Sequence, residues 1–320
     1  MIGVLLLNLG TPDAPTTKAV RKYLREFLSD PRVIKIPKPI WNIILYGFIL
    51  PFRPSRSAKL YQKIWQEEGS ALKVLSLALT EKIQDLLNEQ APEQYRVSLG
   101  MRYGNPSIAS ALEKLNLPEI KKLIILPLYP QFSATTTASA FDGIAQELKK
   151  SNWLPEIHFY NQYVEHASYI KAIANSISNY WDKNGRGEKL VFSFHGIPKQ
   201  FVNDGDPYQS YCQTTAKRIA QELNLTSTDW LAVFQSRFGK AEWLTPYCDK
   251  TLEELGQKGY KNLDIICPGF AVDCLETLEE ICVENEELFI KAGGKSLNYI
   301  PALNASLEHA QCLVELFMKK

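Results

Sequence analysis

Short apolar runs recur along the chain, separated by stretches in which apolar residues return every three or four positions. The runs at residues 2–7, 95–99, 123–126, 157–160, 190–194, 230–234 and 263–267 have the length and content of buried strands. Segments 18–28, 72–87, 169–180, 214–223 and 303–318 carry the helical period. Strands that alternate with helices predict βαβ units and a mostly parallel sheet.

A faint internal repeat overlies this pattern. The first run ends in Asn8-Leu9-Gly10-Thr11-Pro12, and a later one in Phe194-His195-Gly196-Ile197-Pro198. Arg102-Tyr103-Gly104 is answered by Arg237-Phe238-Gly239, and Ile125-Leu126-Pro127 by Ile266-Cys267-Pro268. Three anchors in the same order predict two similarly built α/β halves, residues 1–150 and 151–302. A last helix within 303–320 is expected to pack back on the first half. That half is the longer, because an insert at about residues 31–66 separates its first two anchors. Ligands of open α/β sheets bind beyond the carboxyl ends of the strands. The halves are therefore expected to face a central cleft, with the insert as its lip.

A length of 320 residues suits two such domains, and 45% hydrophobic with 22% charged residues is a globular composition. A net charge of +1 lacks the basic excess of a nucleic-acid binder, so no nucleic-acid partner is expected. Cys212, Cys248, Cys267, Cys274, Cys282 and Cys312 form no CxxC pair, which removes zinc-ribbon and thioredoxin readings. Free thiols suit a reducing compartment. The chain opens without a basic n-region, and its longest apolar run, 40–50, is far short of the ~20 residues that cross a bilayer. A cytoplasmic protein is expected.

The near-zero net charge hides two poles. Residues 31–66 hold Arg32, Lys35, Lys38, Arg53, Arg56, Lys59 and Lys63 and no acid. Residues 271–287 hold Asp273, Glu276, Glu279, Glu280, Glu284, Glu286 and Glu287 and no base. Glu276, Glu280 and Glu284 stand four apart, one stripe of a helix, where like charges cost roughly 0.2–0.5 kcal/mol per pair. A visiting divalent cation would relieve that repulsion. The basic run encloses Ile40, Trp41, Ile43, Ile44, Leu45, Tyr46 and Phe48. That pattern fits either a buried helix with a basic rim or a surface that meets lipid headgroups or a greasy anion.

Of four histidines, His158, His166 and His309 sit within elements and read as structural or surface residues. His195 closes an apolar strand before Gly196, at the cleft end, where an imidazole can take a proton or bind a metal. No GxxxxGK[ST], GxGxxG after a strand, HExxH or GxSxG occurs. Residues 132–137 follow a strand and could cap a helix or hold an anion, capping alone being the expected job.

Taken together, Leu6–Pro12, Gly100-Met101-Arg102-Tyr103-Gly104, Leu126-Pro127-Leu128-Tyr129-Pro130-Gln131-Phe132-Ser133, Ser193–Pro198 and the stretch from Pro268 to Glu280 resemble the ferrochelatases, from the first strand to the last helix. The resemblance implies insertion of Fe²⁺ into a porphyrin at the end of haem synthesis, between two Rossmann-like, doubly wound domains. It puts the family's catalytic histidine on His195 and its metal-site glutamate on Glu276. The acidic ladder falls on Glu280 and Glu284 of a π-distorted helix, so that all four residues form the expected metal path. Porphyrin contacts fall on Arg102, Tyr103, Tyr129 and Ser133.

Departures refine the reading. Some members carry histidine where Cys274 stands, so a second imidazole is missing. The cysteine group that binds an iron–sulfur cluster in animal-type enzymes is absent, and Ala134 occupies its internal position, so no cluster is expected. The coproporphyrin-using branch has tyrosine where Leu9 stands, which favours protoporphyrin IX. Two other readings stay open: a non-catalytic porphyrin or haem binder, and a chelatase for another metal or tetrapyrrole.

Overall fold

The computed structural model describes residues 1–239 and 241–318. They form two compact units, one of Met1–Asn161 with the end of the chain from Leu313, the other of Gln162–Cys312. In the first unit, β1 (Ile2–Thr11) lies at the centre of a parallel sheet. A two-residue hairpin, β2 (Trp65–Gln66) and β3 (Gly69–Ser70), stands apart from it. β4 (Tyr95–Gly104) flanks β1 on one side; β5 (Lys122–Pro127) and then β6 (Glu156–Phe159) lie on the other. The second unit builds β7 (Lys189–His195), β8 (Trp230–Gln235), β9 (Asn262–Ile266) and β10 (Ser296–Ile300) in the order β10-β9-β7-β8. Counted within each unit, both sheets run 2-1-3-4 and all strands are parallel.

Central parallel strands are covered on both faces and read as unbroken apolar runs. Val4, Leu5, Leu6 and Leu7 are accordingly all fully buried. Leu5 and Leu7 pack with Ile108, Leu112, Ile125 and Ile144; Val191 packs with Val233, Leu252, Ile265 and Phe289 in the other unit. Helices start at hydroxyl caps: Ser70 Oγ accepts from Lys73 N at 3.3 Å and Ser107 Oγ from Ser110 N at 3.1 Å.

Several expectations shift. Residues 8–11 and 100–104, beyond the expected ends of the strands, continue them, with Asn8 opposite Met101 and Thr11 opposite Gly104. Two glycines permit this close pairing. Gly10 has φ +119°, and a Cβ there would stand 1.8 Å from the Tyr103 carbonyl oxygen; Gly104 has φ +81° with the Thr11 oxygen 2.7 Å away. β10, an edge strand paired with β9, was not anticipated, because Ser296 and Asn298 break its apolar run. β6 hydrogen-bonds to β5, which puts residues 151–161 in the first unit and moves the division past residue 150. The last helix starts at Leu307 rather than 303.

The repeat is real in topology but slipped in register. Met101 N donates to the Pro106 carbonyl (2.6 Å) and Phe234 N to the Pro246 carbonyl (2.8 Å), and these two residues pair with Asn8 and Phe194. On that frame Gly10 matches Gly196 as read. Arg102 and Tyr103, however, match Gln235 and Ser236, not Arg237 and Phe238. Sequence similarity two residues away from the true match had concealed the correspondence.

His309 is buried, donates from Nδ1 to the Asn304 carbonyl at 2.6 Å, and is held neutral by burial, its pKa lowered to about 4. That agrees with a structural role.

Candidate functional site

His195 is the last residue of β7, and its Nδ1 lies 2.7 Å from the Gly196 carbonyl. A carbonyl only accepts, so Nδ1 carries the proton and Nε2 presents a lone pair. His195 pairs in register with Gln235 at the end of β8. The Gln235 amide donates to the Glu276 carbonyl (3.1 Å) and to Glu280 Oε2 (3.2 Å), and Ser236 Oγ also hydrogen-bonds to that oxygen.

Residues Glu276–Asn285 form a π-helix. With i→i+5 bonding each turn takes in more than 3.6 residues, so side chains four apart stand in a straighter row than on an α-helix. Glu276 and Glu280 are half-buried and Glu284 is exposed, so the row runs from the interior to the surface. Burial pushes the Glu280 carboxyl up; the Ser236 hydroxyl, His195 and the Gln235 amide oppose that push, and the charge of Glu276 adds to it. Glu280 thus senses both His195 and Glu276. The expected ligands do not gather at a single point, since no group of three or more His, Cys, Asp or Glu among the described residues could hold a metal ion. A row offers sites in succession rather than a closed cage.

The other acids of that run have separate duties. Asp273 is buried and accepts from Thr277 Oγ1 (3.0 Å), Asn304 Nδ2 (2.7 Å) and the Tyr299 hydroxyl, pinning the start of the π-helix. Glu279 is buried, and Glu287 pairs with Lys291 at 3.2 Å. Cys274 is buried, and burial foremost, then the Glu276 charge, drives its thiol well above the ordinary range, unlike a ligand thiolate.

The first unit places the other candidates at the ends of β1, β4 and β5. Arg102 Nη2 lies 2.6 Å from Asp30 Oδ2 and its Nε donates to Ser139 Oγ at 2.8 Å. The Tyr103 hydroxyl donates to the same Asp30 oxygen at 2.8 Å, as does Ser139 at 2.6 Å. Burial works to raise the Asp30 carboxyl, but hydrogen bonds from Ser139, the Arg32 N–H and Tyr103, with the Arg102 charge, hold it below its usual value. Arg102 and Tyr103 are therefore tied to a buried carboxylate that the sequence did not reveal. Ser133, buried, caps a second π-helical segment, Ala134–Ala138, accepting from Thr135 N at 3.2 Å. The Tyr129 hydroxyl differs: it is buried with no hydrogen-bond partner, and desolvation first, then the nearby Tyr103, keeps it firmly protonated. Leu9 is half-buried beside Asn8, whose Nδ2 donates to Ser76 Oγ at 3.1 Å.

Asp30, Ser139, Gln235 and Ser236 escaped sequence reasoning. Nothing links residue 30 to residue 102 along the chain. Gln235 was within reach, as the counterpart of Arg102 once the repeat is set by strand pairing.

Duplicated parallel α/β units that end their strands in such polar sites have the chelatase fold. SirB from Bacillus subtilis with Fe³⁺ matches at TM-score 0.58, covering 98% of this chain and 93% of that one at 11% identity. The sirohydrochlorin chelatase SirB from Bacillus subtilis subspecies spizizenii, in complex with cobalt, gives 0.54 at 8% identity, over 98% and 92%. Identity so low speaks for the fold alone. Sequence carries the assignment further: the family model described as Ferrochelatase matches residues 1–320. "Ferrochelatase" of Methylococcus capsulatus is 52% identical over 98% of this chain and 95% of its own length, and "Ferrochelatase 2" of Shewanella oneidensis 51% over 98% and 96%. The chain belongs to the ferrochelatase family, as the motifs had indicated.

Proposed function

We propose that this chain is a lyase that inserts Fe²⁺ into protoporphyrin IX to form protohaem. The observation that carries the mechanism is His195: its Nδ1 proton is committed to Gly196, which leaves Nε2 for chemistry, and the ring lies near enough to Glu280 of the acidic row to act on that carboxyl. Metallation exchanges two pyrrole N–H protons for one cation. It therefore needs a proton acceptor and a route for a divalent ion. His195 and Glu276 serve the reacting centre, and Glu280 and Glu284 form the approach. The exposed Glu284 meets hydrated iron first, and each inward step replaces water by carboxylate oxygen.

Leu9, Arg102, Tyr103, Tyr129 and Ser133 belong in this reading to the porphyrin side. Asp30 fixes Arg102 and Tyr103, so they supply a rigid wall rather than mobile charges. The Tyr129 hydroxyl, without a partner among the described residues, is a group there with hydrogen-bonding capacity to offer. Leu9 supports protoporphyrin over coproporphyrin. Anaerobic incubation with protoporphyrin IX and excess Fe²⁺ tests the function: repeated turnover to haem, followed by loss of porphyrin fluorescence, supports it. A stoichiometric spectral shift without turnover would leave only a binder, and turnover confined to another divalent metal would leave a different chelatase.

The insert adds an apolar surface. It folds as Lys38–Ile44, a π-helical turn Leu45–Ile49, and Leu50–Ile64. Trp41, Leu45 and Leu50 face inward, while Ile43, Phe48 and Phe52 are 69%, 64% and 72% exposed, with Ile40 and Tyr46 exposed beside them. Lys35, Lys38, Arg53, Arg56 and Lys59 are exposed around that face. An apolar face with a basic rim suits transient contact with an anionic membrane surface. No helix among the described residues is long and apolar enough to cross a membrane. The protein is expected to co-sediment weakly with acidic liposomes and to release in high salt. Each basic residue near such a surface contributes about 1 kcal/mol, so R53E/R56E should weaken binding roughly thirtyfold or more. Binding unchanged by these substitutions, or absent at every salt concentration, would remove the membrane reading and leave the enzyme reading intact.

A further inference from the structure

Gln235 is 3% exposed, ends β8, and sits in the sheet next to His195. Its amide is read at both ends. Oε1 accepts from Ser193 Oγ at 2.7 Å and faces the Cys267 thiol at 3.5 Å; Nε2 donates to the Glu276 carbonyl and to Glu280 Oε2. These partners allow one orientation only. Turned over, the amide would set its oxygen against the Glu276 carbonyl, which can only accept, whereas a hydroxyl or a thiol can serve either end. The Glu276 carbonyl therefore dictates which end of the amide meets the π-helix, and Ser193 on β7 and Cys267 just after β9 brace the other end.

The other unit repeats the device. Arg102 occupies the matching strand position, and its side chain likewise reaches a carboxylate, Asp30, and Ser139, the first residue beyond the π-helical segment Ala134–Ala138. In both units the end of the second strand is strapped to the helical run that follows the third, within its π-helical segment in one unit and at the residue just beyond it in the other.

We infer that Gln235 is a positioning residue for metal delivery: its amide, braced by Ser193, holds the first turn of the acidic π-helix and aims the Glu280 carboxylate. Both of the hydrogen bonds from Gln235 and Ser236 fall on Oε2 of Glu280, so the carboxylate is gripped by one oxygen and presents the other. A row of carboxylates conducts an ion only while their oxygens stay within one handover distance. An ungripped Glu280 would swing among its rotamers, at a cost to each transfer. The inference rests on the metal-insertion reading, and its test separates the two.

Gln235→Glu nearly keeps the shape and the acceptor for Ser193 and Cys267 but loses both donors to the π-helix. Ser193→Ala removes the group that braces the amide while leaving the donors. Fe²⁺ KM, porphyrin KM and kcat are measured on the full chain, together with Co²⁺ affinity by calorimetry without porphyrin. Q235E should raise the Fe²⁺ KM at least tenfold and weaken Co²⁺ binding in proportion, with porphyrin KM within twofold of the parent. S193A should raise the Fe²⁺ KM about threefold, and the double variant should be no worse than Q235E, because both act through one amide. If Q235E does not fold, Gln235→Met, which neither donates nor accepts, carries the same expectation. A folded variant with Fe²⁺ KM and Co²⁺ affinity within twofold of the parent overturns the inference, as does an equal loss in porphyrin KM, the mark of general disorder. Absence of iron insertion by the parent protein would instead refute the proposed function, and the Co²⁺ titration alone would then decide the role of Gln235.

Discussion

Replacing His195 by alanine is expected to abolish metal insertion while leaving the fold and most of the porphyrin affinity in place. Among the described residues the imidazole hydrogen-bonds to the adjacent Gly196 carbonyl, and it is only half-buried, so its removal deprives that carbonyl of a partner and little else. Positioned acid–base groups contribute typically 10²–10⁴-fold. Because the proposed function also gives the same Nε2 a place on the metal, the loss should reach about 10³-fold in kcat. On that reading porphyrin is held by apolar walls and peripheral contacts, so its Kd should move only a few fold. Steady-state metallation, with circular dichroism to confirm folding and fluorescence quenching to measure porphyrin binding, checks each part. Near-normal turnover by a folded H195A protein would return this residue to a structural role.

Glu276→Gln should be almost as damaging, with at least a hundredfold loss in kcat/KM for Fe²⁺. The substitution keeps volume and hydrogen bonding and removes only charge and proton affinity. The Glu276 contact with Gln235 uses the backbone carbonyl, so the first turn of the π-helix stays fastened when the side chain changes. Any loss therefore reports on the carboxylate itself. Glu280→Gln and Glu284→Gln should act mainly on the Fe²⁺ concentration needed, the exposed Glu284 least of all, as expected of an approach route. Measuring rates across a wide Fe²⁺ range separates the two behaviours. A kcat for E276Q close to the parent value, with only KM raised, would demote Glu276 to one more step of the row.

Much of this was legible along the chain. Seven of the eight main strands showed as apolar runs, because a parallel strand covered on both faces must be apolar throughout. β10 lacked that signature because Ser296 and Asn298 interrupt its apolar residues. His195 stood out because a polar residue closing an apolar strand falls at the edge where α/β proteins bind their ligands. The acidic row stood out because repulsion at that spacing had no local remedy.

What the sequence by itself determined, then, was the class of fold, the two-fold repetition and the residues with chemistry to offer, since each follows from patterns among near neighbours. Only the tertiary structure decided which polar groups are committed. Asp30 and Arg102 meet across 72 positions and Gln235 reaches Glu280 across 45. Arg32, read as part of an unrelieved basic run, lies 2.7 Å from Asp142 in an ion pair. The slipped anchors Arg237-Phe238-Gly239 have the same origin, for strand pairing aligns residues by backbone hydrogen bonds without regard to side-chain likeness. A buried polar atom takes its partner from whatever the fold brings within about 3 Å, and separation along the chain carries almost no information about which group that will be.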